Sequence, residues 1–144
     1  MDTVFPFPIG KEKEDYQARK KFIADFYVYW IAANTSKRVF NSSLNDFIEV
    51  KYLSTAGKAS YYHTSTLAVT FLSEILANAI ARKDKNGNLL FDKPKVNVKN
   101  QKRFSKIFTM YYEKTDFGKI KLTVGELRGS GQKVQYCITA IEND

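Results

Sequence analysis

The single histidine of the chain, His63, stands where acid–base chemistry is plausible on physical grounds. It lies in Tyr61-Tyr-His-Thr-Ser-Thr66, directly before an apolar run that predicts a helix, which Thr64 or Ser65 can cap. A helix N-terminus attracts anions, and its field favours the neutral imidazole that a general base requires. A lone histidine with a purely structural role is the alternative interpretation.

Two later segments predict strands that share one polar face. They are residues 119–125 and 134–141, which are rich in β-branched residues and alternate with a period near two. Alternation puts the polar residues opposite Ile120, Leu122 and Val124. The predicted polar face consists of Lys119, Lys121, Thr123, Gln135 and Thr139. We interpret it as a cationic floor for an anion such as a phosphodiester, the alternative being a solvated outer face.

The distribution of charge favours a polyanionic partner. The chain has 144 residues and a formal net charge of +8. Residues 1–50 hold seven Lys/Arg and seven Asp/Glu, whereas residues 51–144 hold sixteen against eight. A one-sided basic field attracts nucleic acid above all. A basic protein without a nucleic-acid role is the alternative.

Several other chemistries have little support in the sequence. One cysteine excludes an internal disulfide framework and a zinc site of several cysteines. The chain has neither a glycine-rich phosphate loop nor a close pair of carboxylates for glycoside hydrolysis. We therefore predict no metal and no cofactor. The remaining inventory suits metal-free RNA cleavage, in which a base takes the 2′-OH proton, cations hold the phosphate and an acid protonates the leaving oxygen.

We predict a cytoplasmic protein that has no membrane partner, and the single cysteine fits a reducing cytoplasm. Pro6 and Pro8 stand where a secretory signal would have its apolar stretch. The longest apolar run nearby, residues 26–33, is too short to cross a bilayer.

The elements that must position these residues follow from periodicity and turn signals. Residues 11–34 carry an aromatic stripe typical of a helix, residues 38–52 predict a hairpin, and residues 65–83 predict a buried helix. Three strands complete the chain as an antiparallel meander, since short glycine-containing gaps separate them. We predict one α+β domain over residues 1–144, with two main helices packed on a four- to five-stranded antiparallel sheet that ends in this meander.

The chain also resembles a family of small nucleases. The block at residues 62–69, followed by residues 118–125 and 134–141, is similar to the nuclease-like domains of phages and bacterial mobile elements. These domains are grouped with barnase, EndoU, colicin-type RNases and RelE-like toxins. The resemblance covers roughly residues 38–142, so residues 37–144 would be the nuclease-like core and residues 1–36 a lead-in and brace helix.

That resemblance implies a metal-independent endoribonuclease of toxin or effector type, which acts on RNA rather than DNA and meets a cognate inhibitor protein. The implied catalytic residues are His63, Lys121, Thr123, Gln135 and Thr139. The resemblance also implies a role for Lys119, to which we assign substrate binding together with Ser65, Thr66, Lys102 and Arg103. Two alternatives stay open: a non-catalytic module that binds nucleic acid through its basic face, and a protein-interaction domain that uses the aromatic N-terminal helix.

Overall fold

The computed structural model describes residues 5–50, 59–95 and 101–140, and describes only the backbone of Tyr136, Cys137, Thr139 and Ala140. These residues form an α+β fold in which helices lie on one face of a six-stranded sheet. The helices are α1 (Lys13–Ala33), α2 (His63–Val69) and α3 (Leu72–Asn78). The strands are β1 (Arg38–Asn41), β2 (Asp46–Glu49), β3 (Ile80–Ala81), β4 (Phe104–Lys114), β5 (Gly118–Leu127) and β6 (Lys133–Ala140).

The sheet confirms the predicted meander and corrects the rest of the predicted topology. Its order is β1-β2-β6-β5-β4-β3, with β4, β5 and β6 antiparallel as expected. The sheet has six strands and is mixed, because β2 runs parallel to β6 and the two-residue β3 joins the other edge. Alternation of apolar and polar residues marks a strand but does not reveal its neighbour or its direction. The β1–β2 hairpin itself was correctly predicted.

The first helix agrees with its prediction, and a buried arginine fixes it to the rest of the chain. Arg19 is only 1% exposed. Its guanidinium donates to the carbonyl oxygens of Ser60 at 2.7 Å, Pro8 at 2.7 Å and Gly10 at 2.8 Å. The five donors of an arginine side chain suit it to this role. Arg19 therefore holds the N-terminal lead-in and the segment before α2 against α1.

The segment predicted as one helix over residues 65–83 contains two short helices, α2 and α3, followed by the strand β3. Phe71 has φ −104° and ψ 29°, which interrupts the helix between α2 and α3. Just before the break, the Thr70 hydroxyl donates to the Leu67 carbonyl at 2.6 Å. At the far end, the buried Asn41 amide donates to the carbonyls of Leu76 and Ala79, both at 2.9 Å. Apolar residues recur with helical spacing through the break and up to the end of α3, so the sequence pattern does not indicate the break.

The main core lies between α2, α3 and one face of the sheet. The central contributors from β5 are Ile120, Leu122 and Val124, each 0% exposed. They share one apolar cluster with Ala68 of α2 and Leu72 of α3. The sheet therefore has a helix-covered face and a face without these helices, and the second face bears the candidate site.

Candidate functional site

The alternation predicted for β5 is confirmed. Lys119 and Lys121 are exposed and Thr123 is half-buried, whereas the residues between them are fully buried in the core. We call the sheet surface that bears these three residues the open face. Two lysine ammonium groups projecting from one strand, without a helix over them, make this surface locally cationic.

Strand β4 completes the open face with residues that the sequence analysis did not select. The β4–β5 register places three pairs opposite each other: Glu113 and Lys119, Tyr111 and Lys121, and Thr109 and Thr123. Directly opposed residues of an antiparallel pair lie on the same face and within contact distance. The Lys119 ammonium lies 5.3 Å from the centre of the Tyr111 ring, a cation–π arrangement.

A sequence signal for these β4 residues existed. The turn through Asp116, Phe117 and Gly118 is short, and Gly118 takes the positive φ of 77° that it needs. Such a turn fixes which residue of β4 faces which residue of β5. Counting back from it gives Glu113 opposite Lys119.

A cleft of about 460 Å³ opens beside these residues at the β3 edge of the sheet. Ile80, Tyr111, Glu113 and Lys119 contribute to its walls. Ile80 is 66% exposed and is registered opposite Tyr111, so an aliphatic and an aromatic side chain are neighbours at this edge. The cleft combines apolar walls, an ammonium group and a carboxylate.

One of the two residues predicted from β6 lies elsewhere. The backbone register pairs Thr139 with Lys121 but pairs Gln135 with Val124, a residue of the main core. The register shifts at Tyr136, the extra residue of a β-bulge. The prediction that Gln135 shares the lysine face is therefore wrong, because one additional residue reverses the alternation.

The environment of Gln135 agrees with this register. Its side chain is 2% exposed, and its Oε1 accepts no hydrogen bond from any residue that the structure describes. A buried amide on the core side of the sheet cannot contact an anion bound over Lys121. Gln135 is therefore not part of the open face.

His63 is also separated from the lysines. It is the first residue of α2, is half-buried, and meets the Phe5 ring edge-on with ring centres 5.0 Å apart. Because α2 packs on the helix-covered face, the body of the sheet lies between His63 and Lys121. The structure therefore does not assemble the predicted set of a histidine base and lysine cations.

The two hydroxyl residues predicted to bind substrate at the start of α2 point inward. Ser65 and Thr66 are both 0% exposed. The Thr66 hydroxyl lies 3.0 Å from the Ala59 carbonyl and 2.9 Å from the Tyr62 carbonyl, so it is engaged in local hydrogen bonds. Because both residues are buried, their hydroxyl groups are not accessible to a substrate.

Lys102 and Arg103 lie at the opposite end of the β4–β5 pair from Lys119. Arg128, just after β5, donates from its backbone nitrogen to the Arg103 carbonyl at 2.9 Å and from Nε to the Lys102 carbonyl at 3.0 Å. The Arg103 guanidinium lies 4.7 Å from the centre of the Phe104 ring. Lys119 and this basic group are separated by the length of β5, about 25 Å at roughly 3.3 Å per residue. They are two separate positive regions.

The arrangement of the open face suits binding of a phosphate-bearing chain. Lysines supply charge, threonines supply hydroxyl groups and Tyr111 supplies a ring for stacking. In residues 5–50, 59–95 and 101–140, His, Cys, Asp and Glu residues form no group of three that is suitable for holding a metal ion. Nor does any helix in these ranges have the length and apolar character needed to cross a membrane.

Comparisons of the chain with protein families, characterised proteins and solved structures find no match. The resemblance to the nuclease-like domains, the mobile-element source and the cognate inhibitor therefore stay predictions from the sequence.

Proposed function

We propose that the chain is an RNA-binding module whose open face holds a single strand. The observation that carries the proposal is the exposure of Lys119 and Lys121 beside Tyr111 on one sheet surface. Each lysine that meets a phosphate releases counterions, and an aromatic ring stacks on an unpaired base. Duplex bases are already stacked on each other, so a ring at the sheet surface favours a single strand.

The charge of the whole chain supports the same proposal. The excess of positive charge lies in residues 51–144, which supply both β4 and β5. In contrast, α1 belongs to the charge-balanced part and carries Lys21 paired with Asp25 at 2.8 Å. An approaching polyanion is therefore attracted toward the sheet more than toward α1.

Binding without cleavage is the function that the geometry supports better. The cleavage mechanism expected from the sequence needs a base and the phosphate-holding cations at one site. His63 and Gln135 both lie away from the open face. The endoribonuclease interpretation therefore loses two of its five proposed catalytic side chains.

Oligonucleotide binding at several salt concentrations tests the proposal. We expect the Lys119→Gln/Lys121→Gln variant to bind single-stranded RNA more weakly and to reduce the slope of log K against log salt by about 1.4, since each phosphate contact contributes about 0.7. The matched control, Lys20→Gln/Lys21→Gln on the exposed side of α1, should leave both nearly unchanged. Equal losses from the two variants would mean diffuse attraction and would contradict an open-face site. DNA of the same sequence tests the expected preference for RNA.

A cleavage assay separates the two functions. Incubation of RNA with the purified protein, with and without EDTA, should leave the RNA intact if the chain only binds. Metal-independent cleavage that is lost in His63→Ala would overturn the binding-only proposal and would restore His63 as a catalytic residue.

A further inference from the structure

An exposed pair of aromatic residues lies on the β1–β2 hairpin, far from the lysines. Phe40 and Phe47 are 45% and 44% exposed, and their ring centres are 5.3 Å apart at an interplanar angle of 76°. The hairpin register places them directly opposite each other. Two large exposed rings side by side form an apolar patch on the surface of the hairpin.

The aromatic pair faces the same side of the sheet as Lys121. Its neighbours in sequence, Val39 and Ile48, point into the main core, and Ile48 is 0% exposed. Because side chains alternate along a strand, Phe40 and Phe47 project from the opposite surface, which is the open face. The pair and the lysines therefore project from the same side of the sheet, and the small apolar cluster around the buried Phe104 lies between them.

Charged groups of both signs surround the aromatic pair and offset each other, and one cation contacts a ring. The Arg38 guanidinium lies 4.7 Å from the centre of the Phe47 ring. Two carboxylates lie close by: Asp46 is paired with the Lys133 ammonium at 2.9 Å, and Glu49 is registered opposite Arg38. Arg38, Phe47 and Lys133 also line a cavity of about 450 Å³ between the hairpin and the β5–β6 turn.

We propose that Phe40 and Phe47 form a second base-stacking site for the same RNA strand that the open-face lysines hold. This inference rests on the proposed function and adds a path that the RNA strand takes across the sheet. In the register, Phe47 lies two strands from β5 and about six residues along it from Lys121, a separation of about 20 Å. A dinucleotide is too short to reach both sites, whereas an octanucleotide is long enough.

Fluorescence anisotropy with labelled oligouridylates of two and eight residues tests this path. The parent should bind the octamer more tightly than the dimer. The Phe40→Leu/Phe47→Leu variant keeps apolar side chains but loses both rings, so its affinity for the octamer should fall roughly tenfold while its affinity for the dimer stays unchanged. The Lys119→Gln/Lys121→Gln variant should weaken both oligomers. Circular dichroism and urea unfolding of each variant check that the fold is retained.

The possible failures are distinguishable. If the parent binds the octamer and the leucine variant binds it equally well, the second site is wrong while the proposed function stands. Equal affinity of the parent for dimer and octamer also overturns the path. If the parent binds neither oligomer, the proposed function fails. If the parent sediments as a dimer and the leucine variant as a monomer, the aromatic pair is an interface between two copies, which overturns the inference.

Discussion

The two faces of the sheet are built on different principles, although the same strands supply both. On the helix-covered face, apolar side chains are fully buried and two polar side chains have partners within the chain. The Asn41 amide donates to the Leu76 carbonyl at the end of α3, and the Trp30 indole donates to Ser73 Oγ at 2.9 Å. On the open face, Lys119 and Lys121 are exposed and project away from the helices. The helix-covered face supplies the main core, whereas Lys119 and Lys121 of the open face lie at the surface.

The open face is not uniform, and its two ends differ in how firmly they are packed. Near Lys121 it is polar. Toward the end of β5, the fully buried Phe104 ring lies over Gly125, where an added Cβ would come within 2.5 Å of the ring. Together with Ile107 and Val134 this ring forms a small second apolar cluster. Fold stability therefore depends on part of the open face too.

Adjacent residues of β5 provide the largest expected contrast between the faces. Leu122→Ala should lower the free energy of unfolding by about 2–5 kcal/mol, because it leaves a cavity in the main core. Lys121→Ala should change stability by less than about 0.5 kcal/mol. Urea unfolding measures both. A similar loss from the two substitutions would show that the faces are not distinct.

A smaller effect is expected at Gly125. Gly125→Ala should destabilise the fold by about 1–3 kcal/mol, because its methyl group would displace the buried Phe104 ring. Thr123→Ala, two residues away on the same face, is the matched control and should cost much less. Thermal or urea unfolding provides the measurement. A stability of Gly125→Ala equal to the parent would mean that the ring moves freely and that this end is not packed.

The smallest expected effect on stability depends on pH. It concerns the Glu74 contacts, by which α3 is joined to Lys114 and Tyr112 of β4. The Lys114 ammonium lies 2.9 Å from Glu74, and the Tyr112 hydroxyl donates to the same carboxylate. Hydrogen bonds from Lys114 and Tyr112 lower the pKa of Glu74 below its ordinary value. A lowered folded-state pKa means that the ionised form stabilises the fold, so the contribution is present at neutral pH and is lost as the pH falls through the folded-state pKa.

Glu74→Gln tests the contribution of the Glu74 contacts to stability. The variant should be slightly less stable than the parent at pH 7, and the difference should shrink as the solution is acidified. Tyr112→Phe, which removes one donor but not the carboxylate, should retain the acid dependence. A difference between parent and Glu74→Gln that grows toward low pH would contradict the sign of the argument.

What could be predicted from the sequence was set by local alternation. The faces of β5 follow from Lys119, Lys121 and Leu122 alone, because side-chain direction in a regular strand has a period of two. Gln135 was misplaced because a bulge at Tyr136 adds one residue, and alternation gives no sign of a bulge.

Local alternation does not predict which parts of the chain pack against each other. His63 does lie at a helix start, but it is the first helical residue after the N-cap Tyr62, and neither Thr64 nor Ser65 is the cap. The side of the sheet on which that helix packs is a tertiary property. The break at Phe71 is likewise invisible to periodicity, because apolar residues continue on both sides. The resemblance to nucleases supplied roles for residues, and the fold separates two of them, His63 and Gln135, from Lys121 and Thr123.

The parallel pairing of β2 with β6 has a consequence for how the chain folds. Ile48 pairs with Lys133, so more than half of the chain lies between two strands that touch near the middle of the sheet. Contacts of such long sequence separation slow folding, since a large loop must close before they form. During synthesis, β2 is made long before β6, so the two strands cannot pair until β6 has been synthesised. Pulse-labelled hydrogen exchange should accordingly find the amides of β4 and β5 protected before those of β2.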